Sequence, residues 1–463
     1  MNSTLKSMLI AAAAITSVSA YAQDKATLDL LVKKGVITAE DRAKTLEEAA
    51  AARTASGIGR VFPKEDTTSR LTFSGYFQTQ FENFSYSETL GSAHTAATQL
   101  TGARAQSAFL IRRLYLETMA DLGNGISGNV VFDMSGNTAN SIDRAMVSLA
   151  GSYGSFDFGY RKVTWGYEES TLSSLFKASS SKLYTVERGI TNRYWNEQEN
   201  GTSAAGRSDG RRLGFGAHHL GLHYNSVTNT NGLEYGASVT NSSQGFNNFK
   251  GYNDLGVYAN VVWNNKISDS EKYAVGVNYG KASYFNGTTI APAFAKIEGY
   301  NPFVQAQYFA WTVLAEYMST KVGQNLDAAN TNNNAHTPKG YDITVAYDFS
   351  QNWQGVFRYT NLDSDFRGQQ IGDGERDFAS VGGLGATTFN KSESYYLGLN
   401  YFFTLNALGK EVAGTNAKIQ LGYEMATFKD TITSAGVYGA TTANGFGDRA
   451  KVNTIRLQAQ VAF

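Results

Sequence analysis

From residue 71 onward, apolar and polar positions alternate along the chain. In the last segment Val452, Thr454, Arg456, Gln458, Gln460 and Ala462 alternate with Asn453, Ile455, Leu457, Ala459, Val461 and Phe463. One set is mostly polar and the other mostly apolar. Successive side chains of a strand point to opposite faces, so this spacing predicts a strand with one apolar face. The same alternation places Trp311, Val313, Ala315 and Tyr317 opposite Thr312, Leu314 and Glu316. It recurs at Tyr341, Ile343, Val345 and Tyr347, and at Ile419, Leu421, Tyr423 and Met425.

Sixteen such segments are expected, near 71–82, 106–120, 125–135, 140–150, 153–163, 211–225, 232–241, 252–264, 271–283, 299–308, 310–321, 339–349, 352–361, 392–404, 415–429 and 449–463. Alternate links are short, as at 121–124, 151–152, 226–231, 265–270 and 350–351. Those between them are mostly long, near 83–105, 164–210, 284–298, 322–338, 362–391 and 430–448. In several segments Tyr, Phe or Trp stands at the ends of the apolar face and small aliphatics stand between. A soluble sandwich would carry its aromatics toward the middle. A closed sheet in a bilayer places them at both interfaces and needs apolar side chains outside at mid-depth. The expected fold is all-β: a 16-stranded antiparallel transmembrane β-barrel over 70–463.

Composition agrees with this reading. The 463 residues include 27 Tyr, 27 Phe and 47 Gly, but only 4 Pro and 0 Cys, and charged residues are 17%. Without Cys there are no disulfides, thiolate metal sites or Cys nucleophiles. Forty basic residues balance forty acidic ones, which gives no support to a nucleic-acid partner.

The N-terminus names a compartment. Lys6, the apolar stretch Met8 to Ile15 and Ala20-Tyr21-Ala22 make 1–22 a secretory signal peptide, with cleavage expected before Gln23. Residues 23–69 are the one strongly helical stretch. Helices are expected over about 24–34, stopped by Gly35, and 39–53, stopped by Ser56-Gly57-Ile58-Gly59 and Pro63. An even strand count puts this short helical hairpin and its linker in the periplasm. It reads as a small hairpin, or as a self-associating plug or oligomerisation stalk.

Three stretches carry a family resemblance: "LLVKKGVITAED" at Leu30 to Asp41, "FLIRRLYLE" at Phe109 to Glu117, and "FDFGYRKVTWGYEE" at Phe156 to Glu169, followed by "ERG" at Glu187 to Gly189. The chain resembles the phosphate-selective porin O and P family of Gram-negative outer membranes. Family members carry a Pro-Phe-Gly where Val163-Thr164-Trp165-Gly166 stands here. The resemblance implies a cell outer membrane location, a homotrimer, and a third long loop folded into the lumen as a constriction, here near 164–210. Outer-membrane lipid and lipopolysaccharide are the expected surroundings.

With the polar face inward, Arg113, Glu117, Asp133, Arg144, Asp157, Arg161, Glu316, Asp342, Arg358, Lys418, Glu424 and Arg456 are expected in the lumen, six basic and six acidic, and Arg188 and Arg193 on the constriction loop. Arg113, Arg144, Arg161 and Arg188 are the leading constriction candidates. The inward charges are evenly mixed in sign, which suits polar or zwitterionic solutes. Arg112 falls on the lipid face under strict alternation, which asks for a bulge or a snorkelling side chain. His219 and His223 share a strand face, yet a metal would need a third ligand, so no metal or cofactor is expected. No motif specifies a Ser–His hydrolase. The expected function is passive diffusion of small hydrophilic solutes or ions, on the resemblance including anions such as phosphate. The alternative is a structural or adhesive surface barrel with a closed lumen and its function in the outer loops.

Overall fold

The computed structural model describes residues 32–34, 38–40, 70–89, 105–123, 125–135, 142–168, 185–186, 190–196, 213, 215–216, 218–241, 255–285, 294–322, 335–371, 389–403, 405–407, 410–412, 417–432 and 445–462. The chain divides into two compact units, Met1–Arg70 and Leu71–Phe463. In the first, backbone at 32–33 and 39–40 is helical; the expected signal peptide and most of the expected hairpin lie outside the described residues.

The second unit is a closed antiparallel ring. Its strands are β1 (Arg70–Thr89), β2 (Ala105–Gly123), β3 (Ile126–Asp133), β4 (Ile142–Gly151), β5 (Gly154–Lys162), β6 (His218–Ser226), β7 (Gly232–Asn241), β8 (Leu255–Lys266), β9 (Glu271–Phe285), β10 (Phe294–Tyr308), β11 (Trp311–Val322), β12 (Lys339–Asp348), β13 (Trp353–Asp363), β14 (Phe389–Phe402), β17 (Ala417–Thr431) and β18 (Gly445–Ala462). A separate ribbon, β15 (Leu405–Ala407) with β16 (Lys410–Val412), occupies the link between β14 and β17. The ring closes where β1 pairs with β18, from Tyr76 opposite Ala462 to Thr89 opposite Arg449. Closure removes the free edges of an open sheet, so wall amides pair between neighbouring strands rather than with water.

Burial is inverted relative to a water-soluble sheet. Along β18 the inward Thr454, Arg456, Gln458 and Gln460 are buried while the outward Ile455 and Leu457 are exposed. Outward aromatics form two bands. At the long-connection end Tyr300 meets Tyr317, and Tyr359 lies between Tyr341 and Tyr395. At the short-turn end Trp311 meets Tyr347 and Trp353 meets Tyr401. The two bands stand six residues apart on β11, β12, β13 and β14, roughly 20 Å of strand. That spacing fits an apolar belt between two lipid interfaces.

Several boundaries differ from the sequence expectation. β1 and β2 run longer, because outward Asn83, Ser85 and Ser87 are polar and erase the period-two contrast without breaking the strand. β6 begins at His218 rather than near 211; Leu213 and Phe215 lie buried in an apolar cluster with Trp165 and Tyr258 instead of in the wall. The alternation also slips within β2. Ser107 and Phe109 meet the outward Asn83 and Phe81, whereas Arg113 meets the inward Tyr76. A face reversal between 109 and 113 follows, at the place where Arg112 had asked for a bulge.

Candidate functional site

The segment after β5 crosses the lumen and seats on the opposite wall. Tyr167 stacks on Phe303 of β10, with ring centroids 3.9 Å apart. Its backbone N–H donates to Glu316 Oε2 at 2.7 Å and its hydroxyl to Gln305 Oε1 at 2.6 Å. Burial, with Glu234 and Glu316 nearby, pushes that hydroxyl's pKa up and keeps it a donor. The helix α1 (Ile190–Asn196) follows. Thr191 donates to Asp342 Oδ2 at 3.1 Å and Trp195 Nε1 to Thr320 Oγ1 at 2.5 Å. The backbone N–H of Val186 donates to the Tyr396 hydroxyl at 3.0 Å. The wall makes room with glycine. A Cβ at Gly340 would lie 2.8 Å from Thr191 Cγ2, and one at Gly299 3.0 Å from Trp165.

Loop and wall meet at three carboxylates. Glu168, Glu316 and Asp342 bring one oxygen each within 4.8 Å of one another, the one such grouping among the described residues close enough to hold a cation. Arg358 binds Glu168 Oε1 at 2.9 Å and Asn192 donates to Glu168 Oε2. Asn301 adds a 3.2 Å bond to Glu316. Glu316 Oε1 and Asp342 Oδ1 have no hydrogen-bond partner among the described residues. One guanidinium therefore serves three carboxylates, and the cluster ties β5's downstream segment to β11, β12 and β13.

Strands β4 and β5 stand eight places from β12 and β13 in the sixteen-strand ring, on opposite walls. There Arg161 pairs with Asp157, which also accepts from Ser148 at 2.6 Å and Asn225 at 3.1 Å. Arg144 lies one register step beyond Ala145 and Tyr160, beside Arg161, and makes no hydrogen bond or ion pair among the described residues. Both guanidiniums keep partial exposure. The lumen thus carries accessible positive charge on one wall and a carboxylate cluster against the other.

The remaining expected site residues on the strands also point inward. Arg113 donates to the Tyr76 hydroxyl at 3.0 Å and is half-buried. Glu117 is buried, holding Ser74 and Asn129. Asp133 accepts from the Ser135 N–H at 3.0 Å, a local turn bond. Arg358, Lys418 and Arg456 are 0–1% exposed, so a passing solute does not reach them in this conformation. Arg456 binds Glu424 at 2.8 Å and lies 3.5 Å from Glu82. Arg193 is buried on α1, and Arg188 lies outside the described residues.

Other groupings are visible only in the fold. A run of amides links Gln458 to Gln420, Gln420 to Asn400 and Asn400 to Gln354, each at 2.9–3.0 Å, across four neighbouring strands. No sequence spacing signals this, because the partners lie on different strands. His223 Nδ1 lies 2.9 Å from Ser238 Oγ. The oxygens of nearby Asp157 are taken by Arg161, Ser148 and Asn225, so this Ser–His pair lacks an orienting carboxylate.

No protein-family model matches the chain, and no curated protein does. The phosphate-selective family therefore remains a resemblance carried by the three motifs. Among solved structures the fold is similar to an anion-selective porin from Comamonas acidovorans, at 13% identity and TM-score 0.51, covering 85% of this chain and 100% of that one. It is less similar to the OmpT outer membrane protein of Vibrio cholerae in its trimer form, at 12% identity, TM-score 0.47, 85% and 99% coverage. The outer membrane channel DcaP of Acinetobacter baumannii follows at 12% identity, TM-score 0.45, 87% and 99%. The first of these places the chain in the porin fold.

Proposed function

We propose that the protein is an outer-membrane porin through which small hydrophilic solutes or ions diffuse passively. The carrying observation is the inverted closed sheet: apolar outside, polar inside, with the post-β5 segment folded into the polar interior. On this reading residues 164–210 form the constriction, and Arg144 and Arg161 are the selective groups, facing the Glu168–Glu316–Asp342 cluster across the remaining passage. Opposed charges would orient dipolar solutes, and accessible guanidiniums favour anions, phosphate among them. Reversal potential in a salt gradient tests this. Arg144→Glu and Arg161→Glu should each move it toward cation preference, and unchanged values would remove both residues from the passage.

A homotrimer belongs to the same proposal. Outward Asn83 and Ser107 bond to each other at 2.6 Å, and Ser85 stands opposite Asn453. This polar patch on β18, β1 and β2 lies level with the tyrosine band and suits a protein neighbour better than lipid. The helical lead 23–69 is proposed as a periplasmic appendage; deleting 24–56 should leave a conducting barrel.

A closed surface barrel is the second reading, favoured by the near-complete burial of Arg358, Lys418 and Arg456. Planar-bilayer recording separates the two. Discrete open steps support the porin, and silence supports the closed barrel.

A further inference from the structure

The outward face carries a row of charge immediately beyond the tyrosine band at the long-connection end. Lys281 of β9 stands opposite Glu298 of β10, and Glu298 opposite Lys321 of β11. Lys339 of β12 stands opposite Asp363 of β13, which stands opposite Lys391 of β14. Lys391 faces Lys429 of β17, and Lys429 faces Arg449 of β18. Eight neighbouring strands thus each contribute one charged residue at this level, six cations and two anions, and Lys296, Glu393 and Lys451 on the same outward faces add two cations and one anion.

The row is only partly neutralised from within. Lys391 lies 3.9 Å from Asp363, and Lys429 binds Glu393 at 2.7 Å. Among the described residues Lys281, Lys321, Lys339 and Arg449 carry no ion pair, and Glu298 accepts from the Tyr279 hydroxyl at 2.7 Å. Like charges directly opposed across strands weaken a sheet, and Glu393 and Asp363 offset only part of the Lys391–Lys429–Arg449 charge, which leaves room for an external anion. The depth is defined by the aromatics: Lys339 sits two residues beyond Tyr341, and Lys391 four beyond Tyr395. Tyrosine marks the interface, which sets these ammonium groups among lipid headgroups. On β9–β14, β17 and β18 the one other outward charge away from this end is Glu271, so the asymmetry belongs to one leaflet.

We propose that this row is a docking belt for phosphate-bearing anionic lipid in the leaflet at the long-connection end. Several headgroups line up along it, each phosphate held by a pair of cations from adjacent strands. The strands are about 4.8 Å apart, so two neighbouring ammonium groups reach one phosphate. This rests on the barrel being an outer-membrane protein, where that leaflet carries such lipid.

The test uses the full-length protein in neutral-detergent micelles, equilibrated with a bisphosphorylated acylated glucosamine disaccharide or its dephosphorylated counterpart. Lipid retained per protomer is counted by native mass spectrometry. Wild type should retain the phosphorylated lipid and not the dephosphorylated one. The variant K321Q/K339Q/K391Q/K429Q should retain at least about tenfold less, since each cation adds to the attraction for an anionic surface. Lys266→Gln, at the short-turn end, should retain the wild-type amount. Should the quadruple variant fail to assemble, K321Q/K339Q and K391Q/K429Q each supply a partial loss. Equal retention by variants and wild type overturns the belt. Displacement by millimolar inorganic phosphate alone also overturns it, in favour of a free-anion site. Bilayer conductance is recorded in parallel: a silent wild type that still retains lipid removes the porin reading and leaves the belt standing.

Discussion

Removing Arg358 should damage the protein far more than removing its partner Glu168. The reason is an imbalance of charge. Three carboxylates lie within 4.8 Å of one another and share one guanidinium. At an effective dielectric near 20, two like charges at that spacing repel by about 3.5 kcal/mol, and the 2.9 Å Arg358–Glu168 contact attracts by about 6 kcal/mol. Glu168→Gln loses that attraction but also relieves two repulsions, about 7 kcal/mol in all. The two terms oppose each other, so Glu168→Gln is expected to destabilise much less than Arg358→Gln. Arg358→Gln loses the attraction and relieves nothing. Breaking a buried pair in this way costs about 3–5 kcal/mol once protonation and relaxation have absorbed part of the loss. Equilibrium urea unfolding in detergent, followed by tryptophan fluorescence, reads the difference, and limited proteolysis within 163–210 reads release of the loop. Equal destabilisation by the two variants would refute the charge accounting, as would a silent Arg358→Gln.

Three further outcomes are expected. Arg at Leu457 or Val345, both on the outward face, should cost roughly 2–4 kcal/mol near the bilayer midplane, read as the loss of folded, heat-modifiable protein in membranes; normal assembly would reverse the facing assignment. Gly340→Val should push Thr191 off the wall and, with its Cβ 2.6 Å from the Asn361 carbonyl, also strain the β12–β13 pairing, raising proteolysis of the loop and lowering barrel stability; an unchanged cleavage pattern would show that the seat can yield. His336, in the segment before β12, donates its Nδ1–H to the Asp365 carbonyl at 2.6 Å, and burial lowers its pKa. A histidine with a depressed folded pKa is stabilising in its neutral form, so the buried seat of the ring is stable above the unfolded pKa near 6.5 and weakens as pH falls toward the folded value, because burial opposes the charged ring. Cleavage at 364–371 should therefore rise between neutral and acid pH in wild type and stay flat in His336→Asn.

The strand pattern was legible because a two-solvent sheet writes its faces directly into the sequence. Ile455, Leu457 and Ala459 against Thr454, Arg456 and Gln458 need only a period of two, and the strand count follows from repeating that reading. It failed where outward residues are themselves polar, as at Asn83 and Ser85, and where an apolar alternation served packing rather than the wall, as at Leu213 and Phe215. The interior was much less legible. That Arg358 and Arg161 face inward is readable, but that one is sealed under Glu168 and the other still reachable depends on how the post-β5 segment lies. The amide run from Gln458 to Gln354 joins residues on four strands, and only register brings them level. The cationic row is one residue per strand and leaves no local charge cluster to notice.

The seat of the post-β5 segment also constrains the order of events during biogenesis. Its anchors Glu316, Arg358 and Tyr396 come 149, 190 and 210 residues after the groups that bind them. Contacts of such separation are slow to form. The indoor furniture arrives before the room has walls. Tyr167 and Glu168 find their wall partners only once the chain's last third has been delivered.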